Sequence, residues 1–162
     1  MEKTIKKFYE TFDFAKIITH PPKSIQNFLD GEIDFIKEYI KPNKVILEVG
    51  CGYGRLLEPL IKNAKKIVGI DFSKPLLDKA EKNLYKNENL ELLLMDAKYM
   101  SFDDKTFDYV LCLDASFGNM PGIELDVLKQ MERVCKKDGE VILSVFSDNA
   151  KYAQIENLTR VG

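Results

Sequence analysis

The chain is 162 residues long, 45% hydrophobic and 31% charged, with 24 basic against 26 acidic side chains and a net charge of −2. The length suits one domain and the apolar fraction supplies a core, which excludes a wholly disordered chain. No apolar run approaches the roughly 18–20 residues of a membrane span, no apolar segment follows the charged start MEKTIKKFYE as a signal peptide requires, and the mildly acidic balance argues against a nucleic-acid-binding stripe. Three scattered cysteines without a C-x-x-C pair speak against a disulfide framework or a zinc site, so the expected compartment is a reducing cytoplasm.

Residues 1–40 read as a helical, polar, interrupted segment. In residues 4–14, Ile5, Phe8, Tyr9 and Phe12 recur at helical spacing. Thr19-His20-Pro21-Pro22-Lys23 then leaves the helix, because a residue before proline disfavours the α region. Ser24 is the expected cap of a second helix ending at Ile40, with Ile25, Phe28, Leu29, Ile33, Ile36 and Ile40 on one broad face and Gly31 as a weak point or break. After the turn KPNK, strands and helices alternate. Residues 45–49 form a short apolar strand, and residues 55–63 a helix that admits Pro59 only in its first turn or at a kink. Residues 66–70 form a second strand. Ser73 then caps a helix with Leu76, Leu77, Ala80 and Leu84 on one face. Residues 90–95 and 107–113 are the third and fourth strands. Ile123, Val127, Leu128, Met131, Val134 and Cys135 stripe a long helix, KKDGE is its exit, and residues 141–146 are the fifth strand. Strands apolar on both faces, alternating with helices, indicate an α/β fold: a doubly wound, mostly parallel sheet.

The most informative stretch is Val45-Ile-Leu-Glu-Val-Gly-Cys-Gly-Tyr-Gly-Arg55, a strand that runs into glycines at Gly50, Gly52 and Gly54 and then into a helix. Glycines let the backbone approach a ligand, and a helix N-terminus offers free N–H groups to a polar or anionic one. The dinucleotide fingerprint G-x-G-x-x-G would put its third glycine where Arg55 stands, and the Lys-Ser/Thr of a Walker A loop is absent. The pattern is instead acid-x-G-x-G-x-G, led by Glu48. Asp71 ends the second strand about 20 residues on, where a carboxylate can accept ribose hydroxyls, and Asp96 ends the third. Any one of these acids alone would read as a cap or a solvated turn. Three at successive strand ends behind a triple-glycine loop point to a ligand site at the carboxyl edge of the sheet.

On these motifs the sequence resembles the class I S-adenosylmethionine-dependent methyltransferases, in particular the small-molecule methyltransferase-domain group, from about residue 41 to residue 147. EVGCGYG matches that family's first motif, GIDFS its second, MDA followed by Phe102 its third, FDYVLCLDASFGNM its fourth, and LKQMERVCKKDGEVILSVF the region after it. The resemblance implies a Rossmann-like fold with S-adenosylmethionine as cofactor and S-adenosylhomocysteine as product. It places Gly50, Cys51, Gly52 and Gly54 beside the methionine part of the cofactor, with Glu48 ordering the loop or the methionine amine. It assigns the ribose to Asp71, the adenine to Phe72, Asp96 and the Ala97 N–H, and the methionine end and substrate pocket to Leu113 and Asp114. Phe117 reads either as a wall of the cofactor pocket or as a core aromatic.

The implied reaction is in-line transfer of the sulfonium methyl to a small-molecule acceptor, with Asp114 the first candidate to touch that acceptor. Base-amino methyltransferases carry an Asn/Asp-Pro-Pro-aromatic motif after the fourth strand. Asp114-Ala-Ser-Phe117 lacks both prolines, which disfavours nucleic-acid substrates, and no membrane partner is expected. Phe8, Tyr9 and His20 are weaker candidates, read first as packing or loop residues. The other readings are a non-catalytic S-adenosylmethionine-binding protein, an incomplete subunit that needs a partner, or an NAD-dependent oxidoreductase, the last disfavoured by Arg55. The expected organisation is an N-terminal helical cap over residues 1–40, a cofactor-binding core over 41–147 and the start of an incomplete C-terminal region over 148–162. The resembling family continues past the fifth strand with further antiparallel strands, whereas here only DNAKYAQIENLTRVG follows. The expectation is therefore a piece of a longer protein, or a homo-oligomer paired through an uncovered fifth strand.

Overall fold

A computed structural model describes residues 21–84, 87–114, 116–145 and 147. Helix α1 spans Lys23–Tyr39 and is followed by β1 (Val45–Val49), α2 (Glu58–Ile61), β2 (Lys66–Asp71) and α3 (Lys74–Asn83). Then come β3 (Leu90–Leu94), β4 (Phe107–Cys112), α4 (Glu124–Val134) and β5 (Cys135–Leu143). The sheet order is β3-β2-β1-β4-β5 and every pairing is parallel. The chain order reverses direction between β1 and β4, and such switch points open a crevice at the carboxyl ends of the strands.

The strands are apolar on both faces because each face meets helices. Ile46, Ile67, Tyr109 and Leu111 pack with Ile36, Leu57, Leu60 and Leu77 under α1, α2 and α3. Their neighbours Leu47, Val68, Ile70 and Val110 pack with Val127, Met131 and Val134 under α4. Full burial of one such side chain contributes about 1.5–3 kcal/mol, so the central strands anchor the domain.

Several local expectations change. Helix α1 begins one residue before Ser24, its N-cap position is Pro22, and it runs unbroken through Gly31, which no neighbouring atom crowds. Burial of Ile25, Leu29, Glu32 and Ile36 along one face offsets the roughly 1 kcal/mol that a helical glycine costs. Pro59 sits in the first turn of α2, where its missing N–H is harmless. Ser73 occupies the N-cap of α3 without a side-chain capping bond. The fifth strand starts earlier than the sequence suggests. Cys135 already pairs with Phe107, and Glu140 with Tyr109, so residues 136–139 bulge out of a continuing ladder rather than ending a helix. Phe146 and residues 148–162 lie outside the described residues, as do residues 1–20 with Phe8, Tyr9 and His20. Among the described residues no helix is long and apolar enough to cross a membrane.

Candidate functional site

Beyond Val49 the backbone turns over three positive-φ glycines: Gly50 (77°), Gly52 (54°) and Gly54 (89°). The N–H groups of Gly50 and Cys51 both donate to the Ile70 carbonyl, at 2.8 and 3.0 Å, which ties the loop to the end of β2. Gly54 is closely packed, since a Cβ there would lie 2.6 Å from a Leu84 methyl of the segment after α3. Gly52 is the opposite case, because a Cβ there would meet nothing within 4 Å among the described residues. Its own N–H donates to Asp71 Oδ2 at 2.9 Å, while Ser73 N–H donates to Oδ1 at 2.8 Å. Asp71 therefore fastens the glycine loop to β2 and holds a buried carboxylate beside open space. Burial pushes its pKa up, and the N–H groups of Ser73, Gly52 and Phe72 pull it back down.

Glu48 lies one residue below the loop's first turn, in register between Gly69 of β2 and Leu111 of β4. It is only 3% exposed, and its Oε2 has no hydrogen-bond partner among the described residues. Burial pushes its pKa up to about 8, Arg55 opposes that shift, and the acids Glu32, Asp114 and Asp71 add to it. The buried Tyr53 hydroxyl on the glycine loop likewise lacks a partner there, and burial raises its pKa.

Asp114 follows Leu113 at the end of β4 with φ at 53°, a conformation uncommon for a residue with a side chain. Its Oδ2 lies 3.1 Å from Arg55 Nη2, and its side chain is 39% exposed. Desolvation raises its pKa, Arg55 counters this, and Glu32 reinforces it. Arg55 also donates to Glu32 Oε2 at 2.6 Å. Glu32 belongs to α1 and is buried; its Oε1 accepts the Asp114 N–H at 2.8 Å and the Ser144 hydroxyl at 2.5 Å.

The structure thus brings Glu48, the glycine loop, Asp71 and Asp114 together at the carboxyl ends of β1, β2 and β4. Phe72, next to Asp71 in sequence, is half-buried. Asp96 is exposed past the end of β3, where its Oδ1 accepts the Lys98 N–H and caps a short 3₁₀ turn that begins at Ala97. Met95 N–H bonds the Asp71 carbonyl at 3.0 Å, which sets this turn beside the β2 end. The Cys51 side chain is buried against Gly69, and Leu113 is sealed into the core on the α1–α2 side. Phe117 is partly buried against the opposite core, with Val49, Ile70 and Met120.

Sequence reasoning missed Glu32, Tyr53 and Ser144, and treated Arg55 only as a missing glycine. One signal was present. Glu32 falls at the helical spacing of Ile25, Leu29 and Ile36, so an acid stands on the apolar face of α1.

Comparison with known proteins bears on this arrangement. The chain is 38% identical over 101 residues to the phosphatidylethanolamine N-methyltransferase of Cereibacter sphaeroides, covering 60% of this chain and 48% of that protein. It is 34% identical over 106 residues to the demethylmenaquinone methyltransferase of Lysinibacillus sphaericus, covering 64% of this chain and 44% of that protein. It thus spans under half the length of these curated relatives. In fold it is similar to Haemonchus contortus phosphoethanolamine N-methyltransferase 1, solved with phosphoethanolamine and S-adenosylhomocysteine: TM-score 0.73, 18% identity, 91% of this chain and 32% of that one. The family model described as "Methyltransferase domain" matches residues 46–139. Since that match runs from β1 into the bulge of β5, over more than half of the chain, the chain belongs to the methyltransferase-domain family.

Proposed function

We propose that the chain binds S-adenosylmethionine at the carboxyl ends of β1, β2 and β4 and transfers its methyl group to a small-molecule acceptor. The observation that carries this reading is Gly52. Its N–H is held by Asp71, while the space a side chain would take is open among the described residues, so a ligand can approach this backbone beside a buried carboxylate. The residues present fit the cofactor. Asp71 stands at the strand end where a carboxylate accepts ribose hydroxyls. The buried Oε2 of Glu48, without a partner among the described residues, fits the ammonium of the methionine moiety, because a buried carboxyl oxygen without a donor is costly. Asp96, Ala97 and Phe72 lie where the adenine would rest, and Gly50, Cys51 and Gly54 hold the loop along the methionine side. Leu113 underlies the methionine end from the core, and Phe117 closes the α4 side.

When bound, the cofactor supplies an electrophilic methyl group, and the protein's part is position and electrostatics. Asp114 presents its partly exposed carboxylate at the end of β4, where it can orient an acceptor or take its proton. Alignment of this kind contributes roughly 7–11 kcal/mol in good intramolecular models. A small-molecule acceptor is favoured by the two relatives whose names specify phosphatidylethanolamine and demethylmenaquinone, and by the absence of the paired prolines after Asp114.

In the same reading, residues 41–147 are the cofactor-binding core, residues 1–40 its cap, and residues 148–162 the start of a further region. The outer strand β5, with Val145 beyond it 61% exposed, is a surface for a second copy of the chain. Sedimentation as a monomer at high protein concentration would remove that last element.

The test is incubation with methyl-deuterated S-adenosylmethionine and a panel of amines, thiols, phenols and hydroxyquinones, read by mass spectrometry. Transfer of a trideuteromethyl group to a panel member is the expected result. Tight S-adenosylhomocysteine binding without any transfer favours a binding protein or an incomplete subunit.

A further inference from the structure

The Glu32–Arg55 pair joins α1 to the residue that follows the glycine loop and to the ends of β4 and β5. One carboxylate oxygen of Glu32 accepts the Asp114 N–H at 2.8 Å and the Ser144 hydroxyl at 2.5 Å, and the other accepts Arg55 Nη2 at 2.6 Å. The same Arg55 nitrogen reaches Asp114 Oδ2 at 3.1 Å, and Nη1 reaches the Leu29 carbonyl at 3.4 Å. Glu32 thus grips Asp114 twice, directly through its main chain and through Arg55 by its side chain. The main-chain grip falls on a residue with φ at 53°, which persists only where its surroundings hold it. A buried ion pair is a poor way to gain stability, since apolar side chains of similar size often do as well. What it does supply is a fixed orientation for the groups around it.

We propose that Glu32 is a positioning residue. Through the Asp114 N–H and Arg55 it sets where Asp114 presents its carboxylate, so that docking of α1 and completion of the acceptor side are one event. This rests on the reading of Asp114 as the acceptor-facing residue. Helix α1 is thereby part of the acceptor half of the site, although none of its residues needs to touch the cofactor. Tyr39 adds a second fastening, its hydroxyl donating to Glu140 Oε2 at 2.5 Å, so α1 is pinned at two points to the C-terminal part of β5 and the residue after it.

The experiment is a carbon-13 NMR titration of the Asp114 carboxyl in the full chain, with calorimetry of S-adenosylhomocysteine beside it. The titratable and charged groups facing Asp114 are Glu32 from α1, Tyr53 and Arg55 from the loop after β1, and Glu48 from β1. Glu32→Gln keeps an oxygen for the Asp114 N–H and the Ser144 hydroxyl but removes the competing charge. Arg55 is then left to Asp114 alone, and the Asp114 midpoint falls by about one pH unit. Arg55→Lys keeps the charge but loses the guanidinium geometry in which Nη1 rests on the Leu29 carbonyl while Nη2 meets both carboxylates, so the midpoint rises. In both variants the affinity for S-adenosylhomocysteine stays within about threefold of the parent chain. Unmoved midpoints in the two variants overturn the proposal. So does a loss of S-adenosylhomocysteine affinity that accompanies the shift, which would place Glu32 in the cofactor site. Should Glu32→Gln fail to fold, the Arg55→Lys arm decides alone. If the parent chain itself does not bind S-adenosylhomocysteine, the cofactor reading falls, and the titration still decides the clamp.

Discussion

Asp114 and Glu48 are both carboxyls with raised pKa values, yet they have different surroundings and different expected roles. Asp114 is partly open to solvent and shared with Arg55, so Asn at this position should spare the cofactor site. Asp114→Asn is expected to lower turnover at least about tenfold, the low end of what a proton-handling group contributes, with little change in affinity for S-adenosylhomocysteine. An unchanged rate would remove Asp114 from the acceptor side. Glu48 is buried and titrates with folding. The folded chain keeps its proton up to about pH 8, whereas the unfolded chain releases it near the ordinary value of 4.5. Between those limits the folded state binds more protons, so this group makes stability fall as pH rises. Glu48→Gln should flatten that slope and leave the variant more stable than the parent at pH 8 by more than about 1 kcal/mol, as read from urea midpoints without ligand. A parent chain whose stability is level from pH 5 to 8 contradicts the assignment.

Among the elements, the glycine loop offers a controlled comparison. Gly54→Ala places a methyl against Leu84 at positive φ, and overpacking of this kind costs about 1–3 kcal/mol. Gly52→Ala meets no neighbour, so its cost is the left-handed backbone alone, about 1–2 kcal/mol. Its added methyl occupies the open space where the proposed ligand would lie. The expected pattern is a larger fall in melting temperature for Gly54→Ala and a larger loss of S-adenosylhomocysteine affinity for Gly52→Ala. The reverse ordering would mean that the ligand binds elsewhere. The glycine loop was readable because its residue types do one thing: they permit positive φ directly after a strand. The α1 contribution was not. Glu32 meets Arg55, Asp114 and Ser144 at sequence separations of 23, 82 and 112, and no local pattern encodes a contact of that range. On propensity Gly31 is a weak point or a break, and tertiary burial of the α1 face keeps the helix continuous through it. The start of β5 was obscured for a related reason. Cys135 continues the apolar stripe of α4, while Lys136-Lys137-Asp138-Gly139 carries a true turn signal that the ladder simply steps around.

For the whole molecule, strands apolar on both faces and alternating with helices left little choice of architecture, and the parallel β3-β2-β1-β4-β5 sheet follows from it. That order places the reversal between β1 and β4, and the acids Glu48, Asp71 and Asp114 gather at the strand ends on either side of it. The fold and the gathering of Glu48, Asp71 and Asp114 were therefore legible in strand-end residues. The Glu32–Arg55 contacts beside Asp114 were not, because they depend on how α1 and the ends of β4 and β5 meet. Whether these strand ends form an S-adenosylmethionine site organised by Asp71 is decided by calorimetry. The parent chain should bind S-adenosylhomocysteine and not NAD, and Asp71→Asn should weaken that binding at least about tenfold, the loss of a charge-assisted hydrogen bond. Equal binding by the parent and Asp71→Asn, or a preference for NAD, would contradict the account.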